Sequence, residues 1–518
     1  MDDDADDPYR LPSEEELAHL GEYWWHSWLI DPIMRGDLPA IQRYLARKPD
    51  GLHTECPSYF DPFIVAAQQP TPGALRLLLE HWAVHPTPDA PLPNERGSPL
   101  FHVACAHGAL ETVRYLLDEQ PALASVHARS STNRHTPILE AAAFLVFCAE
   151  KEQAEVMDEA AGRARFNAPA ARERVHLSEA LMGLLLDRGA CASDSVGYKE
   201  WDTGGPSVVD SIAKRETVLS LAIARAGPAL LRRLIDEGAD ALATTSDWSH
   251  HIRGSLFDNS GISRNLTLLH LAAFYGNYSG IQVLMEHYAQ RGLEMTDAVA
   301  CRDQFGRLPI HYAAAGWPGA WLGLDPDSTD IHAGIDTADI HTDTTALLRL
   351  LTESGNPRFT NAPDEYSETP LHYALSPNLI THRAAIAVAR FLCTDLAAVV
   401  NAVDEAGNTP LHLAARCLAH VPAAEFLLDR GADVRIRNKR GRTPLHEAAA
   451  GVGHLGWATV SGVEENIGAQ DAMLAVLCGR AGKVLVLEKN WDALMDEGDV
   501  EGKTPRQIAE ETRAAWRE

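Results

Sequence analysis

The sequence predicts an all-α repeat protein, a solenoid of helix pairs joined by hairpin fingers. Three observations predict it. A chain of 518 residues is too long for one compact core. A short pattern recurs along nearly its whole length, and each copy carries the residue types that start a helix, pack it and stop it. With 46% hydrophobic and 23% charged residues the material is ordinary globular protein, so the length calls for several domains or an array.

The clearest copies read GNTPLHLAA from Gly407, GRTPLHEAA from Gly441, SETPLHYAL from Ser367 and NLTLLHLAA from Asn265. Weaker ones are GRLPIHYAA from Gly306, RHTPILEAA from Arg134, GSPLFHVAC from Gly97, YFDPFIVAA from Tyr59, ETVLSLAIA from Glu216 and the half-copy GKTPRQIAE from Gly502. A degenerate first copy is placed at Ser27 by its RGDLPAIQRYL tail. The Thr slot then falls at 27, 61, 99, 136, 217, 267, 308, 369, 409, 443 and 504. This resembles the ankyrin-repeat family, whose period is about 33 residues with a T-P-L-H-x-A signature. The resemblance implies a solenoid of about ten to eleven helix-turn-helix repeats with β-hairpin fingers and several long insertions.

The copy at Thr409 shows why the pattern folds this way. Thr409 is a good N-cap, and Pro410 suits the first helical position because its missing N–H has no acceptor there anyway. Leu411, Ala414 and Ala415 offer one large and two small apolar contacts, so neighbouring pairs approach closely. Ala424, Phe426, Leu427 and Leu428 give the second helix its apolar face, and Gly431 stops it in a left-handed conformation. The Gly-Ala step recurs at Gly189 and Gly238. Asp404 to Gly407 make the tight turn of the next finger, with Gly97, Gly306, Gly441 and Gly502 in the same slot. Residues 1–26 are read as an acidic tail and an N-terminal capping helix around Tyr23, Trp24, Trp25 and Trp28. Residues 27–518 are read as the array.

The departures from the period are where a specific function is expected, because the stacked core is committed to stability. They lie near residues 150–179, 191–216, 240–264, 315–345 and 452–470. The fingers of the fourth and fifth repeats hold Tyr198, Lys199, Trp201, Trp248, His250, His251, Arg253 and Phe257, the aromatic and charged types that anchor protein interfaces. These eight are the candidate partner-binding residues. The stretch around Asp325, Asp327, Asp330, His332, Asp336, Asp339, His341 and Asp343 carries possible metal ligands, yet a calcium loop counted from Asp325 has neither the Gly it needs at the sixth place nor the Glu it needs at the twelfth. It is read as a solvated acidic loop. No metal and no cofactor are assigned.

Five histidines, His270, His311, His372, His412 and His446, occupy the motif slot. The family resemblance implies that they bond within and between repeats rather than catalyse. No nucleophile elbow, H-E-x-x-H, phosphate loop or dinucleotide fingerprint is present, so no catalytic residue is assigned. The net charge is -27, with residues 1–16 contributing eight acids against Arg10 and residues 323–345 six acids and no base. Over the whole chain no Lys and Arg block offsets this, which disfavours nucleic acid and membrane as partners. The start, MDDDADDPYR, has no signal-peptide character, and eight scattered cysteines without C-x-x-C pairs suit a reducing compartment. The reading is therefore a monomeric cytoplasmic scaffold, the nucleus also being open, that binds an unidentified protein through its concave face and long fingers. The alternative is an enzyme or small-molecule binder whose insertions fold over the groove.

Overall fold

The computed structural model describes residues 24–47, 52, 61–85, 99–131, 133–145, 171–198, 214–245, 265–315, 337–353, 357–376, 382–451, 463–484 and 491–517. These fall into two compact units, the first ending at Asp240 and the second beginning at Ala241, with Lys214 grouped in the second. Both are built mainly of helices that alternate between short and longer members.

In the first unit the helices are α1 (Trp24–Arg35), α2 (Leu38–Arg47), α3 (Pro62–Ala67), α4 (Gly73–Val84), α5 (Leu100–Ala106), α6 (Leu110–Glu119), α7 (137–145) and α8 (Ala171–Asp187). Strands β1 (Ser195–Tyr198) and β2 (Lys214–Thr217) pair, and α9 (Val218–Ala222) and α10 (Pro228–Asp236) follow. Helices α1, α3 and α5 stack in one column, while α2 packs on α4 and α6 on α8 in another.

The second unit opens with β3 (Thr244–Thr245) and β4 (Leu266–Thr267), then α11 (Leu268–Phe274), α12 (Tyr278–Gln290), α13 (Met295–Val299), α14 (Pro309–Ala315) and α15 (Thr337–Glu353). It continues with α16 (Pro370–Ala374), α17 (His382–Thr394), α18 (Pro410–Arg416), α19 (Val421–Asp429), α20 (Pro444–Ala449), α21 (Val463–Val484), α22 (Trp491–Met495) and α23 (Pro505–Arg517). The short helices α11, α14, α16, α18, α20 and α23 stack successively, and α12, α15, α17, α19 and α21 form a second column beside them. The alanine pairs permit this close stacking: Ala272 and Ala273, Ala313 and Ala314, Ala414 and Ala415, Ala448 and Ala449 are all buried.

Ten of the slots, Asp61, Pro99, Thr136, Thr217, Thr267, Leu308, Thr369, Thr409, Thr443 and Thr504, stand directly before a short helix or before α23. Where the slot is not Thr, other chemistry substitutes. Asp61 accepts the amides of Phe63 and Ile64 at 2.9 and 3.3 Å. The first copy departs: Ser27 lies inside α1, and the cap belongs to Asp37, whose Oδ1 accepts the Ala40 amide at 3.0 Å to start α2. The acidic stretch also departs from a loop, since α15 begins at Thr337, driven by burial of Leu347, Leu348 and Leu351 further along.

The finger turns repeat one construction. Asp303, Asp364, Asn438 and Asp499 each use side-chain Oδ1 to accept two backbone amides of their own turn, at 2.8 to 3.0 Å. Three residues on from each of these, and from Asp404, the backbone has positive φ, at Gly306, Ser367, Gly441, Gly502 and Gly407. Successive turns are also bonded to each other. The amides of Glu365, Glu405, Lys439 and Val500 donate to the carbonyls of Phe305, Tyr366, Ala406 and Arg440 at 2.9, 2.6, 2.8 and 3.1 Å. This ladder leaves little space: a Cβ at Gly441 would lie 3.0 Å from the Val500 nitrogen.

Arg134, Asn265 and Ser367 fill the glycine slot with positive φ of 63°, 62° and 61°. A left-handed L-residue costs roughly 1–2 kcal/mol. Replacing Ser367 with Gly is expected to raise stability by about 0.5–1 kcal/mol and replacing it with Val to lower it by at least as much. Urea unfolding of the two variants checks this. Equal stabilities would contradict it.

Candidate interaction surface

The insertions at 191–216 and 240–264, expected as long fingers, have only their ends among the described residues. In the fourth-repeat finger, Thr217 at the end of β2 caps α9 through a reciprocal pair of bonds with Ser220, at 2.9 and 3.0 Å. In the fifth, Thr244 faces Thr267 and Thr245 faces Leu266 across an antiparallel pair. Tyr288 braces that root by donating its hydroxyl to the Ala241 carbonyl at 2.9 Å. Of the eight candidate partner residues, Tyr198 has its backbone in β1. Lys199, Trp201, Trp248, His250, His251, Arg253 and Phe257 lie outside the described residues, as do Asp325, Asp327, Asp330, His332 and Asp336. Asp339, His341 and Asp343 have their backbones on α15. No group of three metal-ligating side chains occurs among the described residues, and no described helix is long and apolar enough to cross a membrane.

The motif histidines are buried and bonded as the resemblance implied. The backbone amides of Thr267, Thr369, Thr409 and Thr443 donate to Nδ1 of His270, His372, His412 and His446 at 3.0 to 3.2 Å. Leu308 does the same for His311 at 3.0 Å. With Nδ1 accepting, the proton sits on Nε2, which donates to a carbonyl further along the chain. The acceptors are Arg307 for His270, Ala362 for His311, Asn408 for His372 and Arg442 for His412, at 3.0 to 3.2 Å. His446 ends the series, its Nε2 having no hydrogen-bond acceptor among the described residues. Burial holds these imidazoles neutral, lowering His270 and His311 to about 4.

Along the short helices and fingers of the second unit runs a row of polar side chains. The buried Tyr312 hydroxyl donates to Asp303 at 2.7 Å, beside buried Arg307, whose guanidinium lies 4.4 Å over the Phe305 ring. One repeat on, Tyr373 donates to Asp364 at 2.8 Å. Burial, with Asp364 and then Asp404 beside it, pushes the Glu368 carboxyl up to about 7. Further on, Asn438 donates to Asn408 at 2.8 Å, Arg416 pairs with Glu447 at 3.0 Å and Arg442 with Asp499 at 3.1 Å. The Phe305 and Tyr366 rings stack at neighbouring tips, 6.2 Å between centroids.

The first unit holds a site that motif reading missed. His135, immediately before the Thr136 slot, lies between Glu140 at 3.5 Å and Glu216 at 3.3 Å, all three largely buried. Asn133 donates to Glu140 at 2.8 Å. Burial alone lowers the imidazolium, but the two carboxylates outweigh it and raise His135 to about 9. His135 thus fastens β2, the root of the fourth-repeat finger, to the preceding repeat. Only the pairing of position 135 with position 216, one residue ahead of successive slots, hints at this in the sequence.

Helix pairs stacked in two columns, finger turns bonded tip to tip and a histidine-to-carbonyl link between repeats define a helical tandem-repeat protein. The family model for ankyrin repeats matches three copies, over residues 338–438 and 382–459. The C-terminal region carries ankyrin repeats. Such repeats are in general protein-interaction modules.

His270 and His311 have folded values near 4 against an ordinary 6.5, so the unfolded chain binds more protons between those limits. Stability is expected to be complete above 6.5 and to fall as pH drops toward 4, by roughly 3 kcal/mol per histidine, with Glu368 offsetting part because its raised carboxyl acts in the opposite sense. Thermal unfolding across that range checks it, and His311→Gln should make the slope shallower. For His135 the sign reverses, since its folded value is raised: its contribution is complete below 6.5 and lost as pH rises through about 9. His135→Ala, which leaves Glu140 and Glu216 without their shared cation, is expected to cost about 3–5 kcal/mol in urea unfolding. A loss below 1 kcal/mol would contradict the pairing.

Proposed function

We propose that the protein is an interaction scaffold or adaptor. It grips a protein partner through the concave face of an array of ten to eleven repeats and through the long fingers of the fourth and fifth. The observation that carries this reading is the ladder of finger turns. Tip-to-tip amide bonds and side-chain-locked turns hold charged and aromatic tips, Phe305, Tyr366, Lys439 and Arg440 among them, on a preorganised frame. Rigid presentation lowers the entropy cost of binding, and aromatic and Arg side chains are the usual anchors. Tyr198, Lys199, Trp201, Trp248, His250, His251, Arg253 and Phe257 extend the same chemistry into the long fingers. The scattered cysteines support a reducing compartment, cytoplasm or nucleus.

Pull-down from the native host with the wild-type chain and with Trp201→Ala/Trp248→Ala tests the finger part. The double variant is expected to lose the partner while keeping its unfolding midpoint. Unchanged partners would sink the role of the long fingers.

A further inference from the structure

The net charge of -27 conceals one local reversal. Residues 435–442 read RIRNKRGR, in which Arg435, Arg437, Lys439, Arg440 and Arg442 surround the finger turn built on Asn438. Two of the five cations are neutralised at home. Arg437 pairs with Glu497 at 2.5 Å and Arg442 with Asp499 at 3.1 Å. Arg435, Lys439 and Arg440 are exposed, and their side chains have no ion pair or hydrogen bond among the described residues. Their backbone is nonetheless fixed. Asn438 accepts the Arg440 and Arg442 amides at 3.0 Å, Lys439 donates to the Ala406 carbonyl at 2.8 Å, and the Arg440 carbonyl accepts from Val500 at 3.1 Å.

We infer that this finger is a docking site for a short acidic segment of a partner protein. Three cations without partners among the described residues, carried on a turn whose backbone is fixed, offer an anion receptor, and arginine's fork suits carboxylates. The surroundings limit what fits. The turns bonded to this one on either side carry Glu405 and Glu501, and Glu497 and Asp499 pair with the flanking Arg437 and Arg442. A nucleic-acid strand, with a phosphate about every 3.4 Å, continues past the cations and meets those carboxylates. A peptide with a few Asp or Glu residues can end its charge where the cations end. Elsewhere the acidic chain repels such a segment, so the finger also sets where and in which orientation it lands. This surface is separate from the long fingers of the fourth and fifth repeats and stands or falls without them.

The test uses the full chain and two labelled probes in fluorescence anisotropy, a short poly-glutamate peptide and an oligothymidylate of equal charge. The wild type is expected to bind the peptide more tightly than the oligonucleotide, with affinity falling as salt rises. Arg435→Glu/Lys439→Glu/Arg440→Glu should weaken peptide binding by about tenfold or more. The neutral series Arg435→Gln/Lys439→Gln/Arg440→Gln should lie between, with an unchanged unfolding midpoint separating lost binding from lost folding. Tighter binding of the oligonucleotide, equal peptide binding by wild type and reversed variant, or no peptide binding at low salt would each overturn the proposal. Loss of native partners on substituting Trp201 and Trp248, with peptide binding intact, would leave this site standing and locate the other separately.

Discussion

The hydrogen bond from a buried histidine to a carbonyl of the next finger is the interaction on which the ankyrin-repeat array depends. A single helix pair cannot bury its apolar face, so each repeat needs its neighbour. Apolar stacking supplies the attraction but not the register, because alanine surfaces slide over one another at little cost. The imidazole supplies register. One nitrogen is fixed by the amide at the head of its own short helix, and the other reaches forward, as from His412 to the Arg442 carbonyl at 3.1 Å. An unpaired polar group at such depth costs about 1–3 kcal/mol, so the link is held by the penalty for breaking it as much as by its own strength.

The finger ladder grows from that register. Once the short helices are spaced, the turns that precede them lie within hydrogen-bond reach, and an amide of one tip meets a carbonyl of the tip before. Positive φ at the fourth turn position brings the backbones this close, and glycine removes the side chain that would intervene. Polar groups follow the same spacing. Tyr312 reaches Asp303 and Tyr373 reaches Asp364 through equivalent positions in successive copies. The result is a rigid display whose charge changes along its length, from carboxylates near Glu368 to cations around Lys439. Apolar stacking determines that the array forms, while the side chains at the tips set the charge it exposes.

Much of this was legible in the sequence because helix starts have strong local chemistry. Every Thr-type slot from Asp61 onward precedes a helix, including Pro99 and Leu308, where the Thr is missing and the rest of the motif marked the place. Ser27 misled because no proline follows it, and the Trp24–Trp25–His26 run continues a helix as readily as it precedes one. The left-handed turns at Arg134 and Ser367 were illegible because their residue types do not announce positive φ, and Asn265, a type that tolerates it, is marked clearly only by alignment to the glycine copies. His135 escaped because its partners, Glu140 and Glu216, are set by packing between repeats. The basic finger at 435–442 corrects the reading that no Lys and Arg block is present: five cations in eight residues were lost to view in a net charge of -27. Of the long-finger candidates, Tyr198 is placed by its backbone, and the others lie outside the described residues.

The most direct measurement of the central claim is amide hydrogen exchange on His412→Ala. If the histidine links repeats, protection should fall together in α18 and in the following repeat, at the amides of Gly441 and His446 as well as those of residues 413–416. Loss confined to α18, with the 441–449 amides protected as in the wild type, would contradict the account.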